Sequence, residues 1–126
     1  MAQKFSLLSN SVIGLAIEVH RQLGPGLLES TYKECLAHEC YLNNVAFLKE
    51  HPHPVIYRDI RLDCGYRVDL LIENRLIVEL KSVKELAGVH KAQLLTYMRL
   101  SGIKEGLLIN FNVTKLVDGV RNFRLD

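Results

Sequence analysis

Two apolar runs, Tyr66-Arg67-Val68-Asp69-Leu70-Leu71-Ile72 and Leu76-Ile77-Val78-Glu79-Leu80-Lys81, carry charges where a buried strand should be apolar. Read as strands with a pleat of period two, they place Glu79 and Lys81 on one face and Val78 and Leu80 on the other. A carboxylate and an ammonium are then neighbours. Asp69 joins them only if the intervening turn preserves parity, because a two-residue turn at Glu73-Asn74 would set Asp69 opposite Val78 and aim it away from Glu79. The sequence therefore predicts a three-residue turn with Asn74 or Arg75 left-handed, or a bulge near Asp69. Two carboxylates on one rigid face make a hard, oxygen-rich site suited to Mg²⁺, which keeps several waters and takes few protein ligands. Lys81 beside them would serve as a point charge for a phosphate oxygen or would orient an attacking water. The plain alternative for a Glu-x-Lys on a strand is a structural ion pair.

Two further groups bear on that choice. Gly26-Leu27-Leu28-Glu29-Ser30-Thr31-Tyr32 places Glu29 in the first turn of a helix, where the dipole favours an acid whether or not it has a function. Gln93 and Tyr97 stand at i and i+4, with Val89 and Leu100 extending their stripe, and polar groups on a core-facing stripe need partners. His51 and His53, between prolines, read as surface histidines with no third metal ligand nearby in sequence. His20, Arg21, His90, Lys91 and Arg99 read as solvated helix residues that could reach phosphate. There is no Gly-rich phosphate loop and no nucleophile elbow.

These groups must be positioned by elements legible in the hydrophobic pattern. Val12, Ile13, Ala16, Val19 and Leu23 give a helix over about Asn10 to Leu23, stopped by Gly24-Pro25-Gly26. A second covers about Leu28 to Asn43, with Leu28, Tyr32, Cys35, Leu36 and Cys40 on its stripe and Lys33, Glu34 and His38 toward water. Extended pieces follow at Ala46 to Glu50 and Val55 to Tyr57, limited by Pro52 and Pro54 to an edge strand or irregular crossover. After the charged strand pair come a helix over Leu86 to Leu100, a doubly buried strand over Gly106 to Phe111, and a hairpin at Val117-Asp118-Gly119-Val120. This order predicts an α/β domain with a mixed sheet and packed helices, the strand after Leu100 returning parallel to a neighbour.

The whole chain of 126 residues, 48% of them hydrophobic, reads as one domain able to form a core without disulfide or metal staples. Cys35, Cys40 and Cys64 lack Cys-x-x-Cys spacing and read as buried free thiols. Leu7 to Val19 is too interrupted for a signal peptide or membrane span, so a cytoplasmic protein with no membrane partner is expected. Sixteen Lys and Arg against fourteen Asp and Glu, net +2, exclude a protein that coats nucleic acid by charge alone.

Taken in order, Gly26-Leu-Leu-Glu29-Ser-Thr-Tyr32, the Asp69 strand, Glu79-Leu80-Lys81 and Gln93-Leu-Leu-Thr-Tyr97 resemble the GxxExxY proteins, a branch of the PD-(D/E)XK nuclease-like superfamily, from about Val12 to Leu125. The last motif is similar to the Gln-x-x-x-Tyr helix of exonuclease-like members. The resemblance implies a restriction-endonuclease-like α-β-β-β-α-β core, Mg²⁺ (with Mn²⁺ as substitute) at Asp69 and Glu79 helped by the Leu80 carbonyl, Glu29 as an outer or direct ligand, and Lys81 as the catalytic lysine. Val68 stands where the superfamily's name has proline, a position that shapes backbone and gives the metal no ligand. The reading that follows is a Mg²⁺-dependent nuclease acting on nucleic acid, expected to be DNA, with Gln93 and Tyr97 supporting the substrate or the lysine. A homodimer or partner protein would pair two sites. The alternative keeps the fold without catalysis, as a nucleic-acid- or protein-binding module, and is favoured by the small net charge and the lack of an appended targeting domain. A glycosidase using Glu29 and Glu79 would need an aromatic-lined sugar cleft, and the chain has no Trp.

Overall fold

The computed structural model describes residues 5–126. Its elements in chain order are α1 (Leu7–Leu23), α2 (Glu29–Leu42), β1 (Phe47–Pro52), β2 (Val55–Tyr57), β3 (Ile60–Leu62), β4 (Arg67–Ile72), β5 (Leu76–Lys81), α3 (Gly88–Ser101), β6 (Glu105–Asn110), a 3₁₀ turn (Leu116–Gly119) and β7 (Val120–Arg124). Five strands form one sheet in the order β1-β4-β5-β6-β7, and β2 with β3 forms a separate ribbon. Only β5 and β6 run parallel, joined through α3; the other neighbours are antiparallel. Pro52 closes the edge strand β1, where a missing amide costs no sheet partner. The mixed sheet with packed helices expected from the sequence is thus the one found, with α2, β1, β4, β5, α3 and β6 in the implied core order.

Helices α1 and α2 cover one face of the sheet, where Val12, Ala16, Tyr32, Leu36 and Cys40 pack on Leu70, Val78, Leu80, Leu107 and Ile109. On the other face α3 buries Leu94, Tyr97 and Met98 against Leu71, Ile77 and Leu108. The interior strand β6 is buried on both faces, as its unbroken apolar run requires. Each fully buried Leu or Ile contributes about 1.5–3 kcal/mol, so β5 and β6 form a stiff support for any side chain they carry.

Several expectations are corrected. Helix α1 begins earlier than Asn10 because Ser6 caps it, accepting from the Ser9 amide at 3.0 Å. Leu28 is exposed, since it lies outside the first turn of α2 rather than on its buried stripe. Strand β3 was not anticipated: its turn uses Arg58 and Asp59, both at positive φ, without the glycine that marks such turns. The segment Leu116–Gly119 is a 3₁₀ turn, not a hairpin. Leu116 is drawn into the core, and β7 pairs back onto β6. Gly119 is required there for close approach, because a Cβ would collide with the Asn110 carbonyl oxygen. Of the cysteines only Cys40 is buried; Cys35 is half-buried and Cys64 exposed, and all three are free.

The two glycines with opposite surroundings give a direct check. Gly119→Ala should lose about 1–3 kcal/mol from forced displacement of the β6 backbone. Gly14, mid-helix with nothing near its absent Cβ, should gain roughly 0.5–1 kcal/mol as Ala. Urea unfolding midpoints that move in the same direction for both variants would contradict this packing.

Candidate active site

The β4–β5 turn settles the parity question. Ile72 pairs with Leu76 across a three-residue turn in which Glu73 (φ 51°) and Asn74 (φ 56°) are left-handed, and Arg75 donates its amide to the Ile72 carbonyl at 2.9 Å. The ladder continues through Leu71 with Ile77 and Leu70 with Val78. The next position sets Asp69 against Glu79, and there backbone pairing gives way to side chains. The Asp69 amide donates to Glu79 Oε1 at 3.1 Å, and the Leu80 amide donates to Asp69 Oδ2 at 2.8 Å. On the opposite edge of β4 the ladder also skips this position: Lys49 pairs with Leu70 and His51 with Val68, while Glu50 adopts φ 50° between them. Val68 lies in the α3-side core and Leu70 in the other, so the alternation of β4 shifts at Asp69. Of the two expected devices the three-residue turn is the one found; the ladder skips Asp69 without the extra residue of a bulge, since both strands advance two residues between Lys49–Leu70 and His51–Val68.

Glu79 is only 6% exposed and Asp69 is half-buried. Burial first, and then the adjacent Asp69 charge, push the Glu79 carboxyl up to about 8 against the opposing pull of the Asp69 amide and Lys81. Burial also raises Asp69, opposed by the Leu80 amide, Lys33 and Lys81. Like charges in contact cannot both ionise cheaply in a dry site, so near neutrality the pair retains a proton on Glu79.

Lys81 is half-buried and acts on both acids through its charge, yet its ammonium makes no hydrogen bond or ion pair among the described residues. That argues against a simple structural Glu79–Lys81 ion pair. A second cation was missed by sequence reasoning. Lys33, expected toward water, has a largely buried side chain that pairs with Glu50 at 2.6 Å and acts on Asp69. No sequence signal marked it, because Glu50 is an exposed acid that needs no counter-charge and only the fold brings it under α2.

Glu29 is the exposed first residue of α2 and lines a shallow groove with Leu27, Leu28, Ser30 and Ser82. Among the described residues no trio of His, Cys, Asp or Glu is placed to hold a metal, so Glu29 does not close a three-ligand set with Asp69 and Glu79. The spacing of its motif nevertheless has a physical cause. Tyr32 is fully buried, stacked on Phe111 at 4.3 Å, and its hydroxyl donates to Gly24 O at 2.6 Å and accepts from the Leu27 amide at 3.1 Å. Gly26 supplies φ 96° in the same loop. Ser82 Oγ donates to the Leu27 carbonyl at 2.6 Å and ties this loop to the end of β5. Buried Asn110, also missed, clamps the following residue: its Oδ1 accepts from the Val83 amide at 3.1 Å and its Nδ2 donates to the Val83 carbonyl at 2.9 Å.

On α3, Gln93 Nε2 donates to Tyr97 Oη at 3.1 Å. Tyr97 is buried and its hydroxyl pKa is raised, by burial first and then by Glu79. Gln93, Val89 and Leu100 are exposed rather than core-facing, because the buried stripe runs through Leu94, Tyr97 and Met98. His53 is also corrected: it is buried against Tyr97, not on the surface. His20 is a satisfied core histidine, its Nε2 2.8 Å from the Val113 carbonyl, and so is unavailable to phosphate. His90 Nδ1 accepts the Ala87 amide at 3.0 Å at the start of α3, and Arg21 pairs with Glu18 at 2.7 Å.

The donor set at Asp69 and Glu79 is hard carboxylate oxygen whose like charges and burial penalise ionising both acids, which fits a small divalent cation with water completing its shell. A family model described as the PD-(D/E)XK nuclease superfamily matches residues 6–123. No curated protein and no solved structure matches the chain.

The acid pair makes stability depend on pH in a defined direction. Between the ordinary carboxylate value near 4.5 and about 8, folded Glu79 holds a proton that the unfolded chain releases. The folded state binds more protons there, so this stabilisation is complete below the unfolded value and is lost as pH rises through about 8. The melting temperature of metal-free protein, taken relative to Glu79→Gln, should fall from pH 5 to pH 8.5. A difference that is flat or rises with pH would contradict the shared-proton assignment.

Proposed function

The chain belongs to the PD-(D/E)XK nuclease superfamily, and from that premise we propose that it is a divalent-metal-dependent nuclease hydrolysing phosphodiester bonds of DNA, of the GxxExxY branch. The observation that carries the reading is a buried Glu79 and a half-buried Asp69, each carboxylate accepting a backbone amide from the other's strand, beside a half-buried lysine whose ammonium has no partner among the described residues. Asp69, Glu79 and the Leu80 carbonyl would hold Mg²⁺, or Mn²⁺ in its place, with Glu29 acting from the outer shell. The bound ion would supply positive charge to the scissile phosphate and acidify a water.

The remaining chemistry belongs to the chain. The Lys81 ammonium, uncommitted to either acid, orients the attacking water and offsets charge developing on the phosphate oxygens. Stiff β5 fixes Glu79 and Lys81 on one face, so neither must reorganise as charge develops. The Gln93 amide holds the Tyr97 hydroxyl in place near Glu79, leaving the rest of the Gln93 side chain at the surface to meet substrate. No helix among the described residues is long and apolar enough to cross a membrane. A cytoplasmic setting fits the three free cysteines. Pairing of two sites on duplex DNA would call for a homodimer or a partner protein.

A second reading, an inactive binding module on the same fold, is favoured by one observation: each acid already satisfies a backbone amide and so has a structural use without catalysis. Cleavage decides between them. With Mg²⁺ or Mn²⁺ the purified protein should cut plasmid or linear DNA, and Lys81→Ala should lower the rate by about 10²–10³-fold while leaving the melting temperature nearly unchanged. Equal cleavage by the variant, or none by the wild type, would overturn the nuclease assignment.

A further inference from the structure

Beside the acid pair lies a cleft of about 380 Å³ whose residues the proposed hydrolysis uses only in part. Its walls are the rings of Tyr66 and Tyr97, 6.1 Å apart between centroids, with Val55 and Leu100. Gln93 and Thr96 bring an amide and a hydroxyl to the rim. At the floor the His53 ring meets Tyr97 edge-on at 5.7 Å, and its buried Nε2 has no hydrogen-bond partner. Burial lowers the His53 pKa, with His51 adding to the effect, so the floor carries no charge at neutral pH. One guanidinium reaches the rim, where Arg99 Nη2 donates to Thr96 Oγ1 at 3.3 Å and is not ion-paired among the described residues. The charge of Glu79 acts on the Tyr97 hydroxyl, which places the cleft next to the acid pair.

The lining selects among ligands. A neutral, aromatic pocket with polar groups at its rim suits the face and edge of a nucleobase, whereas a phosphate would find no positive charge inside. Arg99 at the rim suits a phosphate beside that base. We propose that this cleft takes one unstacked base of a single-stranded nucleic acid against the Tyr66 ring, with Arg99 on a flanking phosphate. The inference rests on the nuclease reading and narrows its substrate to an unpaired strand or unpaired end, because a closed duplex offers no free base face without unpairing.

The test uses the full chain carrying Lys81→Ala, with Mg²⁺ present, so that the strand stays intact. Fluorescence anisotropy with a fluorescein-labelled oligothymidylate reads the affinity, and a blunt duplex of equal length serves as comparison. Tyr66 is 45% exposed, so its replacement leaves the core untouched. Tyr66→Ala should raise the Kd for the single strand by roughly 5- to 100-fold, and Tyr66→Phe, which keeps the ring, should stay within about twofold. The duplex should bind more weakly than the single strand and be unaffected by Tyr66→Ala. No effect of Tyr66→Ala on the single strand, or an equal loss on both probes, overturns the base pocket. If the Lys81-dependent cleavage of DNA is intact in that case, the failure belongs to the cleft alone. Absence of both that cleavage and any binding removes the nuclease reading as well.

Discussion

Where β4 and β5 part, two backbone amides lose their carbonyl partners, and the side chains of Asp69 and Glu79 supply the missing acceptors. Buried amides must find an acceptor, and a carboxylate is a strong one. Using two of them side by side in a dry place has a cost, since their charges repel and burial penalises each. The folded chain relieves that cost with a proton on Glu79. A divalent cation would relieve it more fully, which turns a local backbone requirement into a site with chemical use.

The rest of the domain keeps this junction from relaxing. Leu70, Val78 and Leu80 are fully buried on the face opposite Glu79 and Lys81, so the strands cannot rotate to turn the acids outward. Lys33 reaches down from α2 to Glu50, bringing a second positive charge within range of Asp69. At the far end of β5, Asn110 clamps Val83 and Ser82 holds the loop carrying Glu29, itself anchored through the Tyr32 hydroxyl. The same residues that define the Gly26–Glu29–Tyr32 motif are therefore structural at Gly26 and Tyr32, which leaves the exposed Glu29 carboxylate for another task.

Much of this was legible in the sequence because it depends on parity and period. Glu79 and Lys81 had to share a face, and a charged Asp69 inside an apolar run called for either a three-residue turn or a bulge. The helices and the doubly buried β6 followed from their apolar spacing. What escaped depends on contacts made by distant parts of the chain. His20 and His53 look alike in sequence, yet one is satisfied by Val113 and the other is packed under Tyr97. Asp118-Gly119 suggested a turn glycine, whereas Gly119 is there because the Asn110 carbonyl leaves no room for a side chain. Arg58 and Asp59 form a turn at positive φ with no glycine to announce it.

The near-balanced net charge of +2 also acquires a local meaning. The acids at Asp69 and Glu79 are concentrated in one place, while Arg99 and Lys81 stand without acidic ion-pair partners among the described residues. A cation between the acids would leave this side of the molecule distinctly positive. Whether the acid pair takes that cation is the central claim, and isothermal titration calorimetry with Mg²⁺ at pH 7.5 tests it directly. The account predicts saturable binding accompanied by proton release, seen as a dependence of the heat on buffer ionisation, and lost in Asp69→Asn. No binding by the wild-type chain, or undiminished binding by Asp69→Asn, would contradict it.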